Sequence, residues 1–255
     1  MKNEKRFEGV TLLTLNKYLM KTFIVYFLNL MMPGAIISGA PEVYGQHFVS
    51  VGVDNVELMV GQTEVTWETY NFYKEDKRWI DVENLKCAVT GLTYREALSL
   101  CEQLNKVVEG YTFRLPTLRE WSLICKQGVK EQDEKERFVW ALDSIEDMGG
   151  GLKCRGVYSK QGDLNGIYHL RGNVREWCSD LIFEKELYEG SGFERMMPFA
   201  DALEVGIRPL AGGSSVDPYE ECNCASFTVA PEVSTSNTFG MRLIAEETNP
   251  REEGD

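Results

Sequence analysis

Two short amphipathic helices, each opened by a capping box, are followed by a long stretch with almost no periodic signal. This is the feature that most narrows the fold. In the first helix Thr93 and Glu96 sit three apart, so each side chain satisfies a backbone N–H that the helix start would leave unpaired. Behind them Tyr94, Ala97, Leu98, Cys101 and Leu104 fall on one apolar stripe. The second box, Thr117 and Glu120, follows Pro116 and opens a helix carrying Leu118, Trp121, Ile124 and Cys125. From Gly149 to about Ser236 the chain is rich in Gly, Ser, Asn and Asp and holds few long periodic segments. Two short strands are expected at His47–Val53 and Val56–Val60, around the turn residues Asp54-Asn55, and a short helix at Thr66–Lys74. A last strand is expected at Thr238–Ala245, a solvated charged face at Lys130–Arg137 and a flexible loop at Gly149–Gly151. Short strands with a few helices and long loops predict an α+β fold rather than a layered α/β one.

Charge divides the chain. The protein has 255 residues and a net charge of -13. Its first forty residues hold Lys2, Lys5, Arg6, Lys17 and Lys21 against Glu4 and Glu8, a net of +3, so the remainder carries -16. An acidic body argues against nucleic acid as a partner, because phosphate binding needs clustered basic residues. After Lys21 comes an eleven-residue apolar core, Thr22–Met32, and then the small residues Ser38-Gly39-Ala40. A basic start, an apolar core and small residues describe an export signal. The core is short of the roughly twenty residues that span a bilayer, so no transmembrane segment is expected in the mature form. Cleavage after Ala40, where Pro41 is an awkward neighbour, and cleavage after Gly45 both remain open, and Met20 is an alternative start. The expected organisation is an export segment at 1–45, one irregular domain at 46–245 and a disordered acidic tail at 246–255, with an exported protein of the periplasm, envelope or exterior as the product.

The chain has seven cysteines and no CxxC pair, which gives no signal for a zinc ribbon or a thioredoxin-type redox site. In an exported chain some would pair, and others have the character of small buried hydrophobes. The two histidines, His47 and His169, exclude any site built from several imidazoles.

Five segments occur in order: Gly61–Tyr73 (GQTEVTWETYNFY), Tyr111–Trp121 (YTFRLPTLREW), Asn165–Asp180 (NGIYHLRGNVREWCSD), Leu210–Ser215 (LAGGSS) and Thr238–Ile244 (TFGMRLI). Together they resemble the landmarks of the sulfatase-modifying-factor, or formylglycine-generating-enzyme-like, family. The resemblance runs from about Phe48 to Ile244 and implies a loop-rich variant of the C-type-lectin-like fold, with Trp121 and Trp177 as core anchors. Gly172-Asn173 suits a tight turn, since both residues tolerate positive φ.

The resemblance also implies a place for chemistry. Family oxidases that convert a substrate cysteine to formylglycine use two cysteines with four residues between them, understood to bind copper(I). The first lies three residues after the serine of the Gly-Gly-Ser motif. Here that serine is Ser214, the first cysteine's position holds Asp217, and the second is Cys222. Glu221 replaces a usual aromatic, and Arg175 stands where a tryptophan lines the site. One thiolate does not make a two-coordinate copper site. The chain therefore reads as a non-catalytic relative, with no copper expected and with Cys222 and Ser214 as the only catalytic candidates should it act as a divergent oxidase. The same resemblance implies calcium ligands at His169, the carbonyls of Gly172 and Val174, and Glu176, although calcium prefers oxygen donors at the histidine's position. The alternative is that Glu176 simply hydrogen-bonds within its loop. Asp217, Tyr219, Glu221 and Arg175 are the candidate binding residues, on an acidic stretch (DPYEE) suited to a basic peptide or a small cationic ligand.

Overall fold

The structure is a computed structural model that describes residues 40–74, 78, 84–129, 139–142, 156–182 and 206–248. Residues 1–39 of the export segment, the charged run and the Gly149–Gly151 loop lie outside these residues. Strands β1 (Phe48–Val53) and β2 (Val56–Gly61) form a hairpin in which Val53 pairs with Val56. Its two turn residues, Asp54 and Asn55, have φ of 48° and 67°. Positive φ at both centres matches the right-handed twist of the flanking strands.

Among the described residues the α-helices are α1 (Trp67–Tyr73), α2 (Tyr94–Val107) and α3 (Leu118–Gly128). Both capping boxes form as expected, with Thr93 and Thr117 accepting from the Glu96 and Glu120 amides and the glutamates reaching back. Strand β3 (Tyr111–Arg114) lies between α2 and α3 in sequence, and Asn105 of α2 covers its backbone by donating to Phe113 O at 3.1 Å and accepting from Phe113 N.

Two four-stranded sheets carry the domain. The first is ordered β1-β2-β8-β3 and is antiparallel throughout, with β8 at Ile244–Glu247. The second is ordered β6-β5-β4-β7, from Phe227–Pro231, Ile207–Ala211, Arg175–Trp177 and Phe239–Gly240. Its β4–β7 pair is parallel and the others are antiparallel. Trp177 and Trp121 are buried in the two main hydrophobic clusters, the first with Leu92, Leu100 and Phe113, the second with Val60, Ile124 and Ile244. Burying such rings supplies much of the core's apolar area.

Two boundaries differ from expectation. The segment Thr238–Ala245 is not one strand: β7 ends at Gly240 in the second sheet and β8 begins at Ile244 in the first. The three residues between carry the chain from one sheet to the other. Arg242, fully buried there, donates to Gly61 O and Tyr168 O, which a side chain standing on a continuous strand face would not meet together. Glu246 and Glu247, assigned to the tail, instead belong to β8 and pair with Thr112 and Tyr111. Glu246 also meets Arg114 at 2.5 Å. Among the described residues no helix is long and apolar enough to cross a membrane.

Candidate functional site

The site is built around β4, whose three residues alternate sides. Arg175 points to a partly exposed rim and Glu176 into the interior. The loop leading into β4 is set by backbone geometry, with positive φ at His169, Gly172 and Asn173. At Gly172, with φ of 82°, an added Cβ would stand 2.0 Å from Trp140 O, so only glycine fits. The turn is laced to its neighbours: Gly172 N donates to Gly212 O, Asn173 N to Trp140 O, and Ser215 N to Asn173 O.

On the rim, Arg175 Nη2 donates to Asp217 Oδ1 at 2.6 Å, and Ser214 Oγ donates to Asp217 Oδ2 at 2.6 Å. Asp217 N donates to Ser214 O, and Leu142 N donates to Asp217 O. The Cys222 thiol donates to Ser214 O at 3.4 Å and packs against Val139, Ala141 and Tyr219. Burial, followed by the nearby Asp217 charge, pushes that thiol up to about 12. A thiol held up in this way is a poor nucleophile at neutral pH. The structure thus gathers Arg175, Ser214, Asp217, Tyr219 and Cys222. Glu221 is exposed at the end of a 3-10 turn, Tyr219–Glu221, and faces outward beside this group.

In the interior, Glu176 Oε2 accepts from Trp121 Nε1 at 2.8 Å, and both its oxygens accept from Arg242. Glu64 accepts from Asn173 Nδ2 at 2.8 Å and faces His169 Nδ1 at 3.6 Å, with Arg242 Nη2 at 4.0 Å. All of these side chains are buried. Burial raises the Glu176 carboxyl above its usual range despite Arg242. For Glu64 burial acts the same way, but attraction to His169 and Arg242 and the bond from Asn173 outweigh it and hold the carboxyl low. Glu64 and Arg242 were absent from the sequence-derived site. A charged residue inside an apolar segment was the available signal, in GQTEVTW and in TFGMRLI, since charge in a buried strand demands a partner.

Neither implied metal fits these residues. For copper(I), Asp217 offers hard oxygen in place of the first thiolate and is already paired with Arg175, so Cys222 stands as a lone soft ligand. Cys224 is unavailable because it is bonded to Cys125 of α3. For calcium, the Glu176 oxygens already face a guanidinium, and His169 supplies nitrogen where oxygen is wanted. Arg242 ties this loop to β2 and β4.

Residues 50–247 match the family model of the sulfatase-modifying factor enzyme 1-like domain. Similar curated proteins include a serine/threonine-protein kinase pkn1 of Chlamydia pneumoniae, 28% identical over 165 residues, which are 62% of this chain and 24% of the relative. The Pkn1 of Chlamydia trachomatis is 26% identical with the same coverage. The match thus spans only 24% of these relatives' own length. Among solved structures, Treponema denticola variable protein 1 superposes with a TM-score of 0.58 at 17% identity, covering 82% of this chain and 99% of that one. PvdO from Pseudomonas aeruginosa gives 0.56 at 13%, covering 80% and 92%. CarF gives 0.54 at 18%, covering 79% and 93%. At these identities the likeness is one of fold.

Proposed function

The chain belongs to the sulfatase-modifying factor enzyme 1-like family, and from that premise we propose that it is an exported, non-catalytic member serving as a binding or scaffold module. One observation carries this reading. Two of the three residues that depart from the pattern of the family's oxidases, Asp217 and Arg175, are bonded to each other at 2.6 Å, and Ser214 completes the arrangement. An ion pair occupies the place where a copper ion would need two thiolates. Restoring a single residue would leave its former partner unpaired, so the two substitutions support one another.

Export is supported by the Cys125–Cys224 disulfide, a bond that persists in oxidising compartments. A module reading is supported by the chlamydial kinases, in which the matched region is a minor part of a longer protein. The partner we propose is a basic peptide or a small cationic ligand. The residues facing outward beside the ion pair are Pro218, Glu220 and Glu221, which give that rim its acidic character.

The decisive experiment incubates the purified protein, copper(I) and oxygen with a Cys-x-Pro-x-Arg peptide and looks for the aldehyde by mass spectrometry. No aldehyde is expected, and its formation would overturn the non-catalytic reading. Binding to basic peptides that weakens on Glu220→Lys with Glu221→Lys is the expected positive result.

A further inference from the structure

The small residue at Gly45, one of the two candidate cleavage points, has a structural explanation. Its φ is +71°, and an added Cβ would lie 2.7 Å from Thr69 Oγ1 on α1. Both facts require glycine where the chain passes over the helix. The residues around it are as firmly placed. Val43 is 6% exposed and belongs to the core cluster of Trp67, Tyr70 and Tyr73. Its carbonyl accepts from Gln46 N at 3.1 Å. Tyr44 N donates to Tyr73 Oη at 2.9 Å, Tyr44 Oη donates to Glu68 Oε1 at 2.9 Å, and its ring stacks on Phe72 with centroids 4.3 Å apart. Buried Gln46 donates from Nε2 to Thr63 O at 3.1 Å.

We propose that Pro41–Gln46 is a strap belonging to the folded domain, and that the maturation cut falls N-terminal to Pro41, not between Gly45 and Gln46. Cutting is hydrolysis of one peptide bond by water, leaving a carboxylate on the released segment and an ammonium on the domain. A cut after Gly45 would remove Val43 and Tyr44 from the core and leave a new charge beside Gln46, which is 4% exposed. The cut rests on the export reading, whereas the strap rests on packing alone, and the two are tested separately.

N-terminal sequencing and intact mass of the full chain, purified after expression in an exporting host, report the cut. A product beginning at Pro41 or between the apolar core and Pro41 is expected. One beginning after Pro41, at Gln46 above all, would overturn the placement of the cut, and an intact Met1 would overturn the cut together with the export reading, leaving the strap to be judged by unfolding. Thermal unfolding of the full chain reports the strap. Val43→Ala with Tyr44→Ala is expected to lower Tm by roughly 5–10 °C, and an unchanged Tm would refute a structural role. Should that variant fail to fold, Tyr44→Phe removes only the bond to Glu68, for an expected loss of about 1–3 °C, and no loss would again refute it.

Discussion

The rim network and the interior network meet back to back on β4, one residue apart, and behave as opposites. Arg175 and Asp217 sit where some solvent reaches, with side chains 20% and 11% exposed, over a buried Ser214. Glu176, Arg242 and Glu64 have side chains no more than 1% exposed. Water screens the first and leaves the second at full strength. The difference teaches that a single strand here separates two tasks. Its inner residue holds the buried guanidinium that ties two sheets and a loop together, and its outer residue is bonded into the rim.

The sharpest way to break this contrast is to remove the inner cation. Arg242→Met leaves Glu176 and Glu64 buried together without the guanidinium, and a loss of about 3–5 kcal/mol is expected in urea unfolding. Adding calcium or EDTA to the wild-type protein should shift Tm by less than about 1 °C, since a ligand that does not bind does not stabilise. A clear rise with calcium would show that the loop accepts a metal ion in spite of Arg242.

Next in size is the disulfide, which fastens the rim's loop to α3 across 99 residues of sequence. Reduction, or Cys224→Ser, should cost about 2–4 kcal/mol. Cys125→Ser with Cys224→Ser should cost no more than either alone, because both remove one bond.

The rim itself should matter less to stability. Asp217→Ala is expected to cost about 1–2 kcal/mol, the penalty for leaving Arg175 and Ser214 without their acceptor. Asp217→Cys with Arg175→Trp should keep the fold and introduce copper(I) binding, measured by competition with a chromogenic chelator. If the double variant binds no copper, the ion pair is not what closes the site.

The smallest effect is a pH dependence away from both networks. Burial alone would raise the Glu120 carboxyl, but the bonds from Arg114 and Thr117 hold it below its usual value of 4.5. A depressed folded pKa means the contribution is present above pH 4.5 and lost as the pH falls through the lower folded value. Glu120→Gln should therefore flatten the acid limb of a Tm-against-pH curve while changing little near neutrality.

Much of the fold was legible in local sequence. The Thr93–Glu96 and Thr117–Glu120 boxes and the Asp54-Asn55 turn act through atoms within a few residues, so short spacing encodes them. The replacement of the first family cysteine by Asp217 was legible in the same way, by counting from Ser214. What only the tertiary structure decided are the partnerships: Arg175 with Asp217, Cys125 with Cys224, and Arg242 with a glutamate 66 residues away. It also decided that Met241–Leu243 leaves one sheet for the other. A buried charge or a thiol announces that it needs a partner but not which one, because that choice depends on where the folded core brings distant loops together.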